Sequence, residues 1–357
     1  MSAIIKMIIA FFLSFTQFMA PINNFVNAGG EDSYFTKWSV KDEFTSEAYI
    51  ELEKDPSKDF VILNLADVQL SEDEVCGDMG TRSNNMIATL IEEQQPDLIT
   101  LSGDNAWGTV AYMELINYID SFGIPWAPVM GNHDGQGCVS EFWAAELFTQ
   151  AENCLFQFGP EDMGYGNYII NITENGKAIH TLFMMDTHGT TNYKLKDGTV
   201  YENEYDHLWP LQMNWYRWAV NGIAEENGQI VESTVIMHIP LYEYRTAWEN
   251  AWDEENECYY PEYAETSLGK NSEAVCSAPV NNGFFDLCKE LGSTKNIVCG
   301  HDHVNSSSIV YEGIRLTYGL KLGEGCYYEE GMTGGTTLTV NSQGNVTTQH
   351  HYVAIGD

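Results

Sequence analysis

The sequence predicts an α/β fold, and three observations carry that prediction. Residues 60–66, residues 97–102 and the segment running into Gly131 are short apolar runs, separated by stretches with helical spacing. Each run discharges polar residues at its end: Asp67-Val68-Gln69, Gly103-Asp104-Asn105 and Gly131-Asn132-His133-Asp134. Right-handed crossovers bring such strand ends to one edge of a sheet, where α/β folds hold their ligands.

The elements follow in order. Residues 29–57 are polar and mixed, an early strand or an irregular lead-in. Residues 60–66 are almost continuously apolar, as in a strand buried on both faces. Residues 82–95 space Met86, Leu90 and Ile91 helically, and Pro96 closes that helix. Residues 97–102 make the second buried strand and residues 110–122 a helix; Gly123 to Pro128 is a turn feeding the third strand. The middle of the chain holds an aromatic helix near 141–148, a glycine-rich aromatic patch at 164–168, a strand at 180–186 and a helix at 211–224. Trp209, Trp215 and Trp218 read as packing residues rather than a ligand box. Residues 231–237 are another apolar strand, which delivers His238. The acidic, aromatic stretch 243–278 lacks periodicity and reads as a loop covering the site edge, or as a solvated insertion. A helix at 284–291 and a strand at 296–299 lead to Gly300-His301-Asp302-His303. Strand-like runs at 308–318 and 336–340 make an antiparallel finish.

Composition bounds the class. The 357 residues suffice for one large domain or two ordinary ones, and 44% apolar content supplies a core. Residues 1–28 read as a secretory signal: Lys6 is their only charge, residues 7–20 are apolar, and Val26-Asn27-Ala28 forms a small-residue exit. An uncleaved anchor is the alternative, although the run is short for a membrane-spanning helix. Residues 29–357 then form a single domain, secreted or held in the secretory-pathway lumen. The eight cysteines, Cys76, Cys138, Cys154, Cys258, Cys276, Cys288, Cys299 and Cys326, lack zinc-finger spacing. In an exported chain their expected use is disulfides, with Cys138–Cys154 and Cys258–Cys276 the nearest pairs. Sequons at Asn171, Asn305 and Asn345 are compatible with glycosylation. A net charge of −36 repels nucleic-acid backbones and anionic membranes, so neither is an expected partner of the mature chain. An anionic substrate needs cations in its site to reverse that field.

Five strand ends now carry Asp67 with Gln69, Asp104, Asn132 with His133, His238, and His301 with His303. This mixed oxygen and nitrogen donor set suits zinc, manganese or iron better than calcium or copper. Two metals need about seven protein ligands and a bridge, and Asp104 is the natural bridging carboxylate. Metals roughly 3.5–4 Å apart clamp phosphoryl oxygens and generate hydroxide at neutral pH. His133 can carry a proton, and Asp134 can orient its imidazole. Each piece also has a plainer reading. The Gly131–Asp134 segment can be a polar turn, Asp67 a strand-end cap, His238 a core histidine, and one of His301 and His303 an exposed one. All five in this order, each closing an apolar strand, carry the metal-site reading together.

The series Asp67, Gly103-Asp104, Gly131-Asn132-His133-Asp134, His238 and Gly300-His301-Asp302-His303 resembles the calcineurin-like metallophosphoesterase superfamily across residues 58–345. Gly103-Asp104-Asn105, Gly164-Tyr165-Gly166-Asn167-Tyr168, the run from His238 to Tyr244, that from Gly300 to Asn305, and Tyr318-Gly319 narrow it. Together they are similar to fungal Dcr2-type phosphatases and small plant purple-acid-phosphatase-like proteins. The resemblance implies two mixed β-sheets packed as a sandwich and flanked by helices, a four-layer α/β/β/α fold. It implies that Asp67, Asp104 and His303 hold one metal and that Asp104, Asn132, His238 and His301 hold the other. His133, oriented by Asp134, would stabilise the transition state or protonate the leaving group.

Two departures matter. Gln69 stands where the family's first motif has histidine. Its amide oxygen can ligate, as in the similar manganese-dependent ADP-ribose and CDP-alcohol diphosphatases, and this favours manganese or iron over zinc. Trp107 stands where purple acid phosphatases carry their iron-binding tyrosine, so no iron–tyrosinate colour is expected.

Three functions follow. The first is an exported phosphomonoesterase acting on a small phosphate ester or a phosphoprotein, through in-line attack by a metal-bridging hydroxide with His133 assisting the leaving alcohol. The second is a phosphodiesterase or diphosphatase on a nucleotide-like or lipid-derived ester, since Tyr165 or Trp209 can stack on a base. The third is a secreted metal-binding protein without turnover, against which His133 and Asp134 argue.

Overall fold

The apolar run at Phe60–Leu65 is covered on both faces and becomes an inner strand. It pairs in parallel with Leu98–Ser102, which pairs in parallel with Trp126–Val129. On its other side lies the antiparallel hairpin of Gly334–Val340 and Val346–Tyr352, completing a five-stranded mixed sheet. Helices Asp78–Gln94 and Thr109–Asp120 make the crossovers between the parallel strands. The computed structural model describes residues 34–71, 75, 78–136 and 139–355; the amino-terminal apolar stretch, Cys76 and Cys138 lie outside the described residues.

A second sheet runs in the order Ile50–Glu53, Tyr168–Glu174, Lys177–Met184, Glu232–Ile236, Thr294–Cys299, Ile314–Tyr318 and Ser308–Tyr311. Its members from Lys177–Met184 to Ile314–Tyr318 are parallel. Side-chain alternation divides the interior between its faces. Ile170, Leu182, Met184, Ile236 and Val298 join the core that contains the first sheet. Ile169, Phe183, Val235, Ile297 and Cys299 face the other way, onto Trp215, Tyr216 and Ile223 of helix Pro210–Asn227 and Phe284 of helix Phe284–Leu291. The result is two mixed sheets packed as a sandwich between helices. Helix ends follow local chemistry. Ser140 caps Glu141–Gln150 by accepting from Trp143 N. Pro210 opens Pro210–Asn227, and Gly228, in the left-handed region, closes it.

The stretch 243–278 is more ordered than its composition indicates. Glu243–Ala251 is a helix that buries Tyr244, Ala247 and Ala251, and the small hairpin of Trp252–Asp253 with Cys258–Tyr259 follows it. Two alanines and one tyrosine are too weak an apolar stripe to mark the period within an acidic segment. Its last part braces the loop after Thr294–Cys299. Ser272 N and Glu273 N donate to Asn305 Oδ1, and Cys276 N donates to Asp302 Oδ2.

Cys154, Cys258, Cys276, Cys288, Cys299 and Cys326 are free thiols, which overturns the pairing of Cys258 with Cys276. Cys258 lies exposed in its hairpin, whereas Cys276 Sγ donates to Ala274 O at 3.3 Å. Cys288 and Cys299 are buried and serve as small apolar side chains. Two sequons change as well. Asn171 and Asn305 are buried, with Asn171 Oδ1 accepting from Thr181 Oγ1, and Asn345 alone of the three is exposed. Among the described residues no helix is long and apolar enough to cross a membrane.

Candidate metal centre

The carboxyl ends of strands from both sheets meet at one place. Asp67, Gln69, Asp104 and His301 take φ values of 49°, 44°, 50° and 79°. Residues with a Cβ rarely enter this left-handed region, and such strain persists where surrounding contacts impose it. Here it turns each side chain off its strand end and into the site. Glycines beside them provide room. A Cβ on Gly131 would stand 2.2 Å from Asp104 N, one on Gly300 2.5 Å from Asp67 Oδ2, and one on Gly103 2.5 Å from His238 Nδ1. Each glycine that precedes a candidate ligand thus admits a ligand carried by another strand.

Asp67, Asp104 and His303 bring donor atoms within 4.8 Å of one another, with His303 Nε2 3.6 Å from Asp67 Oδ1. A second convergence adjoins the first. His238 Nε2 lies 3.3 Å from Asp104 Oδ1, 2.9 Å from Asn132 Oδ1 and 3.2 Å from His301 Nδ1. Asp104 therefore stands between two groups of donors. The rings are set from behind, since His238 Nδ1 donates to Ser102 O and His303 Nδ1 to Tyr327 O. Carbonyls only accept, so Nε2 of each ring is the atom that faces the site.

These residues fit divalent cations. His301 Nε2 is buried without a hydrogen-bond partner. Burial lowers His303 to about 3 and His301 well below the usual histidine value, so both rings stay neutral, the form that ligates. Burial, reinforced by the Asp104 charge, raises Asp67 to about 7. Burial opposes the charged forms of Asp104 and His238 too, but their mutual attraction prevails. It draws Asp104 below the usual carboxylate range and lifts His238 to about 10. A metal needs the neutral imidazole and so competes with that proton.

His133 sits at the mouth, 36% exposed, with Nε2 4.0 Å from Asp104 Oδ2 and its ring stacked on Trp107. Asp134 does not orient it. The Asp134 carboxylate is buried and accepts from Gly131 N, Asn105 N, Asn105 Nδ2 and the Tyr112 hydroxyl. The His133 Nδ1 partner is Gln136 Oε1 at 2.8 Å. Gln136 Nε2 donates to Asn132 O, which fixes the amide with its oxygen toward the ring. Gln69 also differs from expectation. Its Nε2 donates to Asp104 Oδ2, and its Oε1 accepts from Lys321 Nζ.

Asn105, Tyr112, Gln136 and Lys321 are site residues that the motifs alone did not single out for a role. Lys321, a lone cation between Leu320 and Leu322, was the only one with a composition signal. The aromatic neighbours differ as well. Tyr165 packs on Phe35 and Phe158, and Trp209 stacks on His188. The rings that touch the candidate site are Trp107 on His133, Tyr205 edge-on to His301, and Tyr327 stacked on His303.

Residues 60–305 match the calcineurin-like phosphoesterase family. The chain is 29% identical over 279 residues to probable inactive purple acid phosphatase 14 of Arabidopsis thaliana, covering 71% of this chain and 64% of that protein. It is 25% identical over 274 residues to phosphatase DCR2 of Saccharomyces cerevisiae, covering 69% of this chain and 44% of that protein. It thus spans less than two thirds of the plant relative and less than half of the yeast one. In fold it is similar to a dimetal phosphatase from Danio rerio, with a TM-score of 0.53 and 12% identity over 84% of this chain and 99% of that one.

Proposed function

We propose that this chain, which belongs to the calcineurin-like phosphoesterase family, is an exported metal-dependent phosphomonoesterase acting on a small phosphate ester or a phosphoprotein. One observation carries the proposal: Asp104 is shared between Asp67 with His303 on one side and Asn132, His238 and His301 on the other. These donors suit two metal ions, manganese, iron or zinc, which when bound neutralise phosphoryl oxygens and activate water. The leader-like residues 1–28 support export, with residues 29–357 acting as one unit.

The chain's own residues do the positioning. Asp134 ties the turn at Gly131 to Asn105 and Tyr112, which fixes where His133 and Asn132 project. Gln136 Oε1 only accepts, so His133 Nδ1 carries a hydrogen. In the protonated ring Nε2 carries the second proton, on the side facing Asp104, where it can pass to the departing alkoxide.

The rings of Trp107, Tyr205 and Tyr327 favour a second reading, a phosphodiesterase or diphosphatase whose substrate carries a planar group. Turnover of p-nitrophenyl phosphate and bis-p-nitrophenyl phosphate by residues 29–357 separates the two, measured after chelation and re-addition of manganese, iron or zinc singly. Metal-dependent preference for the monoester supports the phosphatase. Preference for the diester moves the chain to the second reading. Silence with every metal leaves a secreted metal-binding protein without turnover.

A further inference from the structure

Lys321 has 1% of its surface exposed and lies between the fully buried Leu320 and Leu322. Its Nζ donates to Asp67 O at 2.8 Å and to Gln69 Oε1 at 3.2 Å. An ammonium only donates and a carboxylate only accepts, so two neighbours together fix the Gln69 amide. Oε1 must face Lys321, and Nε2 must face Asp104 Oδ2, 2.9 Å away. The oxygen with which Gln69 would ligate a cation is therefore already engaged, and the group it turns to Asp104 is a donor. The Lys321 ammonium also stands directly behind Asp67, on its carbonyl oxygen. The other group gathers four donors, Asp104, Asn132, His238 and His301, against the three of Asp67, Asp104 and His303.

We propose that Lys321, acting through Gln69 and by its own charge, makes the two metal positions unequal. The Asp104, Asn132, His238 and His301 position holds a tight ion. The Asp67, Asp104 and His303 position holds a weak one that exchanges with solvent. The inference rests on the metal-dependent hydrolase reading above. Lys321 is a positioning residue: it touches Asp67 and Gln69 rather than the reacting atoms. An ammonium repels a cation held beside Asp67 even at an effective dielectric near 20, so its removal should tighten the weak position by about tenfold or more.

The test is metal content, read by elemental analysis after manganese loading and gel filtration, together with calorimetric titration of Mn2+ at one fixed pH. Wild type is expected to retain a single equivalent and to bind the second weakly. Lys321→Met is expected to retain close to two. Lys321→Gln keeps a donor for Asp67 O while losing the charge, and it serves if the methionine variant does not fold. Two equally tight ions in wild type would overturn the proposal while leaving the hydrolase reading intact. So would an unchanged second affinity in the folded variants. No bound manganese, iron or zinc in any of the proteins would instead overturn the metal-dependent reading, and this inference with it.

Discussion

Four donors end on the carboxylate of Asp134, while the neighbouring His133 turns the opposite way and takes Gln136 as its partner. The two residues should therefore fail differently. His133→Ala is predicted to keep fold and metal content and to lower kcat by about 10²–10⁴-fold, the usual contribution of a positioned proton donor. Asp134→Ala leaves Gly131 N and Asn105 N buried without an acceptor and is predicted to cost roughly 3 kcal/mol of stability. Urea denaturation of both variants beside turnover checks this; an Asp134→Ala protein as stable as wild type would contradict it. That Asp67, Asp104, Asn132, His238, His301 and His303 come together was legible in the sequence because each follows an apolar strand, whereas the turn of Gln69 toward Lys321 was not. Nor were their partners. Adjacency in sequence places Asp134 beside His133, but the turn decides which way each side chain points. Lys321 reaches Gln69 from 252 positions away.

At the scale of elements, a ligand-bearing turn works only if its glycine leaves room for the next strand's ligand. Gly131→Ala places a methyl 2.2 Å from Asp104 N and 2.3 Å from Asp104 Oδ1. The variant is predicted to lose metal retention together with about 1–3 kcal/mol of stability, the range for overpacking a filled site. Elemental analysis and thermal unfolding measure both, and unchanged metal content would show that Asp104 tolerates displacement. The inner strands were legible because burial on two faces demands a continuous apolar run, as at Phe60–Leu65 and Leu98–Ser102. The hairpin of Thr190–Lys194 with Val200–Tyr205 carried no such signal. Its residues are all exposed or half-buried, so no apolar stripe marks it. Tyr168–Glu174 was hidden by the glycine-rich run before it, and Asn171 interrupts its apolar pattern while pairing with Thr181.

For the whole molecule, stability should depend on pH through its buried histidines. His180 lies in the core between Gly344 O and Thr234 Oγ1, and burial lowers it to about 4; burial lowers His350 similarly. Between about 4 and 6.5 the unfolded chain binds these protons and the folded chain does not, so stability rises with pH across that window. It is fully present above about 6.5 and is lost as pH falls toward about 4. For His180 the effect amounts to roughly 3 kcal/mol. The 52 acidic residues also titrate in acid and relieve self-repulsion, with the opposite sign. The informative comparison is therefore wild type against His180→Gln at each pH. Urea midpoints should converge as pH falls from 7.5 to 5, and parallel curves would remove His180 from the account.

One buried carboxylate, Asp104, stands between both groups of donors, and on the proposed function it serves metal binding and hydrolysis together. The most direct test measures metal content and p-nitrophenyl phosphate turnover on the same preparations of wild type and Asp104→Asn. Manganese-restored turnover in wild type, with metal and turnover lost together in the folded variant, is the predicted result. Full turnover in an Asp104→Asn protein that has lost its metal would contradict the claim, as would a metal-loaded wild type that hydrolyses neither ester.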